Sequence, residues 1–373
     1  METYRLSSKL HERDREYLIQ TANDGNVGAV ATTIYVDGIL TEVVNCPHPS
    51  DIAPQEILSL VKLTHGEKKT EIETLLRTYR KVMDSGDPEM MYHLGTAFYF
   101  KGFYREAREL LLGALKMSSE HHQSYNQLGL TELSLGNVGA AVKACRNAVT
   151  RRPRFADYRN NLGEAMLADG DHAAAISQLE EAIGINLYYA DAYLNLGIAY
   201  LSSAVSPENT ADAATVTAQV ADCFHKASLI YTGFRDAQFD AGMRAVKEHS
   251  FGTALRIFRS IRDAKREQHK QEISGFYMKF ILFPEWVSEK VIQERIAFLQ
   301  QEITKNPGYV DLQIDLAQCF IEQARLSWQR GMEYYQRASE MNGSLSKVHS
   351  ALDHVERTYQ QICGAIGKIS EKG

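Results

Sequence analysis

Histidine and cysteine are the residue types most often used to hold a metal or to attack a substrate, and their spacing in this chain favours neither role. His121 and His122 are adjacent, so on a helix their side chains point about 100° apart and do not converge on one ion. The five cysteines form no Cys-x-x-Cys pair, which argues against a zinc ribbon and against a disulfide framework. The cysteines are Cys46, Cys145, Cys223, Cys319 and Cys363.

The motifs that mark nucleotide sites and metalloprotease sites are also absent from the sequence. There is no GxxxxGK followed by Ser or Thr, no GxGxxG after a predicted strand, and no HExxH. We therefore predict no catalytic residue, no bound metal and no cofactor. The alternative is an enzyme whose unrecognised site lies in the irregular C-terminal part of the chain.

Composition and net charge argue against nucleic acid and membranes as partners. The chain has 373 residues, of which 44% are hydrophobic and 24% charged, which is typical of globular proteins. The 41 basic and 47 acidic residues give a net charge of −6, which disfavours nucleic acid and an anionic membrane surface as partners. The most apolar run, 276–283, is interrupted by Lys279 and is too short to cross a bilayer. Because the N-terminus also lacks the apolar run of a signal peptide, we expect no membrane insertion and a cytoplasmic location.

A period of 34 residues runs through the middle of the chain. Four Leu-Gly pairs keep this spacing, and two columns of alanine follow it in the second half of the first three units. In a hairpin of two helices, the glycine lets the first helix approach the second closely, and a small alanine receives that approach. One hairpin cannot bury its apolar stripe alone, so the units are expected to stack. The columns are Gly95, Gly129, Gly163 and Gly197; Ala107, Ala141 and Ala175; and Ala114, Ala148 and Ala182.

These columns resemble the tetratricopeptide repeat (TPR) family, whose units carry Leu-Gly, then Tyr, Ala, Phe and Ala, and a closing Pro. The resemblance implies an all-α, right-handed solenoid of helical hairpins, here preceded by a small N-terminal α/β leader, and a non-catalytic protein-interaction scaffold. We place five units over residues 88–268, irregular helix pairs over 269–341 and a capping helix over 342–373. The fourth unit exceeds the period by 11 residues within 202–217. Whether this insertion is a plain surface loop or a functional one stays open.

Side-chain amides and carboxylates recur on the first helix of successive units, at positions that line the concave groove in the TPR resemblance. An amide donates and accepts at once, so a ladder of amides can hold the main chain of an extended peptide whatever its sequence. With no Lys or Arg at these positions, a neutral or basic protein segment is the favoured partner. The alternative is that the amides only solvate the groove wall. The residues are Gln123, Asn126, Gln127, Asp157, Asn160, Asn161, Glu164, Asp191 and Asn195.

The first 87 residues differ from the repeats. We predict a charged helix over Tyr4 to Thr21 and a long helix over Pro54 to Asp84 that leads into the array. Between them, β-branched runs flank Asp37-Gly38, which is typical of a tight hairpin and would pair Ile34 with Thr41. An isolated hairpin is marginally stable in water, and both faces of this one carry apolar residues. We therefore consider self-association into a homo-oligomer, with packing on the chain itself as the alternative. The residues concerned are Ile34, Tyr35, Val36, Ile39 and Leu40.

A second interpretation comes from the basic residues between Arg244 and Lys270. The buried stripe predicted for this helix leaves Arg256, Arg259 and Arg266 on the outer, convex side of the array. Such a patch would make the chain an adaptor that recruits an acidic protein or RNA. The simpler alternative is a solvated helix face.

Overall fold

The computed structural model describes residues 4–24, 28–207, 211–282 and 289–342, together with residues 350, 353–355 and 357. The chain divides into two compact units. The larger unit contains Met1–Trp286 and Asn306–Val310, and the smaller unit contains Val287–Lys305 and Asp311–Gly373.

The N-terminal part of the larger unit is a four-stranded antiparallel sheet. Its strands, in chain order and in their order across the sheet, are β1 (Arg5–Glu12), β2 (Arg15–Asp24), β3 (Ala29–Val36) and β4 (Ile39–Pro47). The prediction of a helix over residues 4–21 is therefore wrong. In β2, burial alternates along the chain: Tyr17, Ile19 and Thr21 are buried and the residues between them are half-buried. The charged residues that precede this stretch hide the alternation in the sequence.

The turn between β3 and β4 forms as predicted, with a positive φ at both Asp37 and Gly38. The predicted pairing beyond the turn is wrong by one residue, because Ile34 pairs with Glu42 and not with Thr41. Thr41 is the extra residue of a β-bulge, and its hydroxyl donates to the Ile34 carbonyl at 3.0 Å. A bulge places two residues of one strand opposite one residue of the other, so the register shifts.

Helix α1 (Pro54–Ser85) covers one face of the sheet and packs against β1, β2 and β3. Ile19 and Ile34 of the sheet are buried in one core with Leu75 of this helix. The helix ends at Gly86, whose positive φ of 68° suits a glycine.

Ion pairs join the sheet to the helices that follow. The Lys101 ammonium is almost fully buried and bonds Glu42 of β4 at 3.1 Å as well as Glu71 of α1. Farther along the sheet, Arg15 pairs with the buried carboxylate of Glu106. Removing one partner would leave a buried charge uncompensated, so these contacts fix the sheet against the helices.

The rest of the larger unit is a series of helices packed as consecutive hairpins. The first helices of four hairpins begin at residues 88, 122, 156 and 190, which are also the first residues of four predicted repeat units. The predicted fold class, a solenoid of helical hairpins behind a small α/β leader, is therefore confirmed. The helices are α2 (Pro88–Phe100), α3 (Tyr104–Met117), α4 (His122–Ser134), α5 (Val138–Arg151), α6 (Ala156–Asp169), α7 (His172–Ile185), α8 (Ala190–Ala204), α9 (Ala213–Ile230), α10 (Ala237–Lys247) and α11 (Phe251–Leu282), with a short 3₁₀ helix at Thr232–Phe234.

The glycine column permits the close approach of paired helices. A Cβ atom on Gly197 would lie 2.5 Å from the ring of Phe224, and one on Gly129 would overlap the sulfur of Cys145. Cys145 is fully buried, and burial raises the pKa of its thiol to about 12. This cysteine therefore fills the core between α4 and α5 and does not supply a reactive thiolate.

Long helices lie toward the C-terminus, where the sequence predicts irregular helix pairs. Helix α11 continues for 32 residues, past residue 268 where the fifth unit was expected to close, because no glycine or proline interrupts residues 253–274. In the smaller unit, α12 (Glu289–Lys305) is followed by α13 (Val310–Asn342), so the helix pair predicted over 308–341 is wrong. A single Gly331 within α13 costs roughly 1 kcal/mol, which does not end a helix.

Pro284, at which a break is predicted, and most of the predicted capping helix over 342–373 lie outside the described residues. Within the parts of the chain that the structure describes, no helix combines the length and the apolar character needed to span a bilayer.

Candidate functional site

The predicted stripe of amides and carboxylates lies on α4, α6 and α8. Together with α2 these first helices contact one another and form one surface, which we call the inner face. The stripe residues differ in exposure. Gln127, Asn160, Glu164 and Asn195 are buried; Gln123, Asn126, Asn161 and Asp191 are half-buried; and Asp157 is exposed.

Four of the amides hydrogen-bond to each other across neighbouring hairpins. Asn161 Nδ2 donates to Asn126 Oδ1 at 3.0 Å, and Asn195 Nδ2 donates to Asn160 Oδ1 at 2.9 Å. Each bond joins a first helix to the next first helix along the array. Part of the hydrogen-bonding capacity of the predicted ladder therefore holds the hairpins together.

Helix α11 crosses the inner face. It pairs with α10 and also contacts α8 and α2. Lys265 Nζ lies 2.5 Å from Asp191 Oδ1, and the Arg266 guanidinium bonds the buried carboxylate of Glu164. Two of the three acidic positions that were predicted to attract a partner, Glu164 and Asp191, are thus neutralised by basic residues of the same chain.

Burial and charge act in opposite directions on Arg266. Burial lowers the pKa of this guanidinium, and the Glu164 carboxylate raises it by more, so that the pKa ends above its ordinary value. Arg266 therefore stays protonated wherever the protein is folded, and its bond to Glu164 is ionic.

Aromatic rings enclose the ammonium of Lys265. It lies 4.6 Å from the ring centroid of Tyr231, 4.7 Å from that of Phe234 and 4.8 Å from that of Tyr309. A cation above an aromatic face is attracted by about 0.5–2 kcal/mol, more as water is excluded. Three rings and the Asp191 carboxylate therefore hold one ammonium and fix α11 where it passes α8.

The contact continues to the other end of the array. Lys270 Nζ donates to the Tyr104 hydroxyl at 2.9 Å and lies 5.0 Å from the ring centroid of Tyr99. Tyr99 belongs to α2 and is buried. Helix α11 therefore reaches from α8 to α2, and along this line the predicted peptide groove is filled by the chain itself.

The prediction of a convex basic patch is wrong for Arg266, which lies against Glu164. Arg256 and Arg259 are exposed, and Arg259 donates to the Ser202 hydroxyl at 3.2 Å. The prediction assumed that only one side of α11 is covered. Because α11 packs between α10 and α8, a second side of it is covered as well.

A model of the tetratricopeptide repeat family matches residues 92–154 and 126–188. These are the residues in which the 34-residue period, the paired helices and the glycine contacts coincide. Residues 92–188 therefore consist of tetratricopeptide repeats.

Several solved structures are similar to this chain at low identity. A crystal structure of MamA is 23% identical with a TM-score of 0.36, and the match covers 43% of this chain and 90% of that one. A thermophilic TPR protein of Thermus thermophilus is 19% identical with a TM-score of 0.34, over 63% and 99% of the two chains. A mutant O-GlcNAc transferase of Thermobaculum terrenum is 21% identical with a TM-score of 0.30, over 41% and 26%. No curated protein matches the chain.

Part of the TPR inner face remains accessible. Gln123 and Asn126 are half-buried and Asp157 is exposed, near the beginnings of α4 and α6. The Glu89 side chain, at the beginning of α2, is 61% exposed. We call these four residues the open inner face. The open inner face is acidic and amide-rich. It lies near the N-terminal ends of the first helices, whereas Arg259 and Lys270 contact residues near the C-terminal ends of α8 and α2.

The five hairpin residues predicted to mediate self-association fall into two environments. Ile34 and Val36 are buried in the core, so their part of the prediction is wrong, because β3 is an inner strand whose one face is covered by α1. Tyr35 is half-buried on the other face of the sheet. Ile39 and Leu40 on β4 are 64% and 50% exposed.

Sequence reasoning missed the position of α11 on the inner face. The signal was present, because Arg262, Arg266 and Lys270 recur every four residues and so lie on one side of a helix. Their partners are an acid of the third hairpin and tyrosines of the first hairpin. The sequence reveals that these basic residues pair with the first and third hairpins only once the helix is known to continue beyond the fifth repeat.

Proposed function

We propose that this TPR protein is a non-catalytic protein-interaction scaffold whose open inner face binds an extended, neutral or basic segment of a partner. The observation that carries the proposal is the pairing of Lys265 with Asp191 and of Arg266 with Glu164. The inner face already binds one basic segment, its own. Glu89, which lies 3.1 Å from His121 Nε2, and Asp157 are exposed and make the open inner face acidic. A basic segment of a partner would find the same kind of attraction there.

The alternative function, recruitment of RNA or an acidic protein by a basic patch, has less support from the structure than from the sequence. Arg266 is paired with Glu164, and the two arginines that stay exposed, Arg256 and Arg259, lie with Asp263 around one surface depression.

Crosslinked capture of partners by the full-length chain, quantified by mass spectrometry, tests the proposal. The triple variant Gln123→Ala, Asn126→Ala, Asp157→Ala should capture at least about tenfold less partner than the natural chain, since each of these residues lies on the open inner face. The matched triple variant Lys143→Ala, Arg146→Ala, Asn147→Ala, on the second helix of the same hairpin, should retain it. Equal capture by the two triple variants would contradict the proposal.

A further inference from the structure

The two edges of the N-terminal sheet differ in how they are protected. The β1 edge carries Arg5 and Lys9, and charged residues on an edge discourage pairing with another strand. The β4 edge carries no charge from Val43 to Pro47, and its Val43 and Val44 are exposed. β4 is therefore the edge on which the sheet can be extended.

A cleft of about 920 Å³ follows this edge. Leu40 and Val43 from one face of β4 line it together with Val44 and Cys46 from the other face. Successive side chains of a strand point to opposite faces of the sheet. Side chains from both faces of β4 can line the same cleft only if the cleft runs along the edge of the strand. The backbone donors and acceptors of that edge therefore face the cleft.

The size of the cleft fits one added strand. Its other walls are α1, through Thr64 and Glu67, and α11, through Glu267 and Gln271. A residue in a sheet takes up about 160 Å³, given a rise of 3.4 Å, a strand spacing of 4.8 Å and a layer spacing of 10 Å. The cleft thus holds about six residues, which matches β4 beyond its bulge. A second copy of the chain would bring a whole sheet and its covering helix, for which these walls leave no room.

The charge of the cleft indicates the character of the strand. Four charged side chains at its base pair with one another: Lys68, Lys101, Glu42 and Glu71. Of the charges that remain, Lys270 is held against Tyr104, whereas Glu67 and Glu267 are exposed at the rim. Two carboxylates at the rim favour a segment with basic residues at its ends.

We propose that the β4 edge binds an extended segment of a partner protein, apolar or β-branched in its middle and basic at its ends, which joins the sheet as a fifth strand. Main-chain hydrogen bonds to β4 supply the affinity, and contacts with Val43, Val44 and the two rim carboxylates supply the preference. The site is separate from the open inner face and goes beyond the proposed function.

Fluorescence anisotropy with the full-length chain and a labelled peptide of alternating threonine and valine, with lysine at both ends, tests this proposal. The expected result is saturable binding in the micromolar range. Val44→Lys places a cation on the edge and should weaken binding at least about tenfold. Leu229→Lys, the same change at another exposed apolar residue, should leave binding unchanged. Val43→Lys provides a second edge variant if Val44→Lys lowers the thermal midpoint.

Two further measurements distinguish strand addition from charge-driven binding and from self-association. The same peptide with proline in place of valine keeps its charge but cannot pair as a strand, so equal binding of it would overturn the proposal. So would no binding of the original peptide. Light scattering that shows a dimer of the natural chain, dissociated by Val44→Lys, would assign the edge to a second copy and overturn the proposal as well.

Discussion

Arg266 and Glu164 are 102 residues apart in the sequence, and their side chains are joined by a charge-assisted hydrogen bond. Glu164 lies on the inner face of the TPR array and is buried, and Arg266 lies on a helix that begins in the fifth hairpin. This bond, with that of Lys265 to Asp191, closes part of the surface with a helix for which the repeat pattern does not account. The surface left for a partner is smaller and less acidic than the repeats alone imply.

Removing Arg266 should destabilise the chain. Arg266→Ala leaves the buried Glu164 carboxylate without its strongest partner, which we expect to lower the free energy of unfolding by about 2 kcal/mol. Arg256→Ala, on the exposed side of the same helix, should change it by less than about 0.5 kcal/mol. Urea denaturation followed by circular dichroism measures both values. Equal effects of the two substitutions would show that the bond to Glu164 contributes nothing.

The glycine column predicts a pair of opposite outcomes. Gly129→Ala should destabilise the chain by about 2 kcal/mol, because the added methyl group meets the sulfur of Cys145. Gly139→Ala, in open space on the neighbouring helix, should be neutral or stabilising by up to about 1 kcal/mol. Adding Cys145→Ala to Gly129→Ala should recover part of the loss in thermal unfolding. No recovery would place the strain elsewhere.

His65 predicts how stability depends on pH. Its imidazole is buried under the sheet, 2.8 Å from the Ser8 hydroxyl and 3.1 Å from that of Thr21. Burial, and then Lys69, lower its pKa below 6.5. The unfolded imidazole takes up a proton near pH 6.5 and the folded one only at lower pH. The unfolded state therefore binds more protons, and stability falls as the pH drops below 6.5 toward the folded pKa.

Urea titrations across that pH range check this linkage. His65→Asn should reduce the pH dependence of the unfolding free energy below pH 6.5, and His122, whose pKa is also lowered by burial, accounts for part of what remains. His269→Asn, an exposed histidine on α11, should leave it unchanged. A slope that His65→Asn leaves unchanged would mean that other groups carry it.

The repeats were predictable because close packing demands them. Positions 129 and 197 must be glycine because a side chain of the paired helix occupies the place where a Cβ atom would lie. The close packing of each hairpin is therefore visible in the sequence as a glycine every 34 residues. The β1–β2 hairpin was not predicted, because its polar and charged residues look like the exposed face of a helix. Only burial of Tyr17 and Ile19 beneath α1, a tertiary contact, shows that the period is two.

The candidate site was predictable in its residue types and not in its environment. The position of Asn126, Asn161 and Asn195 on the first helices follows from the 34-residue period. That Lys265 enters a ring of aromatics depends on where a 32-residue helix leads after it leaves its own hairpin. Local periodicity specifies which side of a helix is apolar, but it does not specify which distant surface that helix will cross.

Hydrogen–deuterium exchange over residues 262–271 of the full-length chain tests the occupation of the inner face by α11 most directly. We expect slow exchange of these amides in the natural chain. In the double variant Glu164→Gln, Asp191→Asn we expect exchange at least about tenfold faster, with the amides of α3 unchanged as the internal control. Rapid exchange in the natural chain, or equal exchange in the double variant, would contradict the conclusion that the TPR array holds a basic segment of its own.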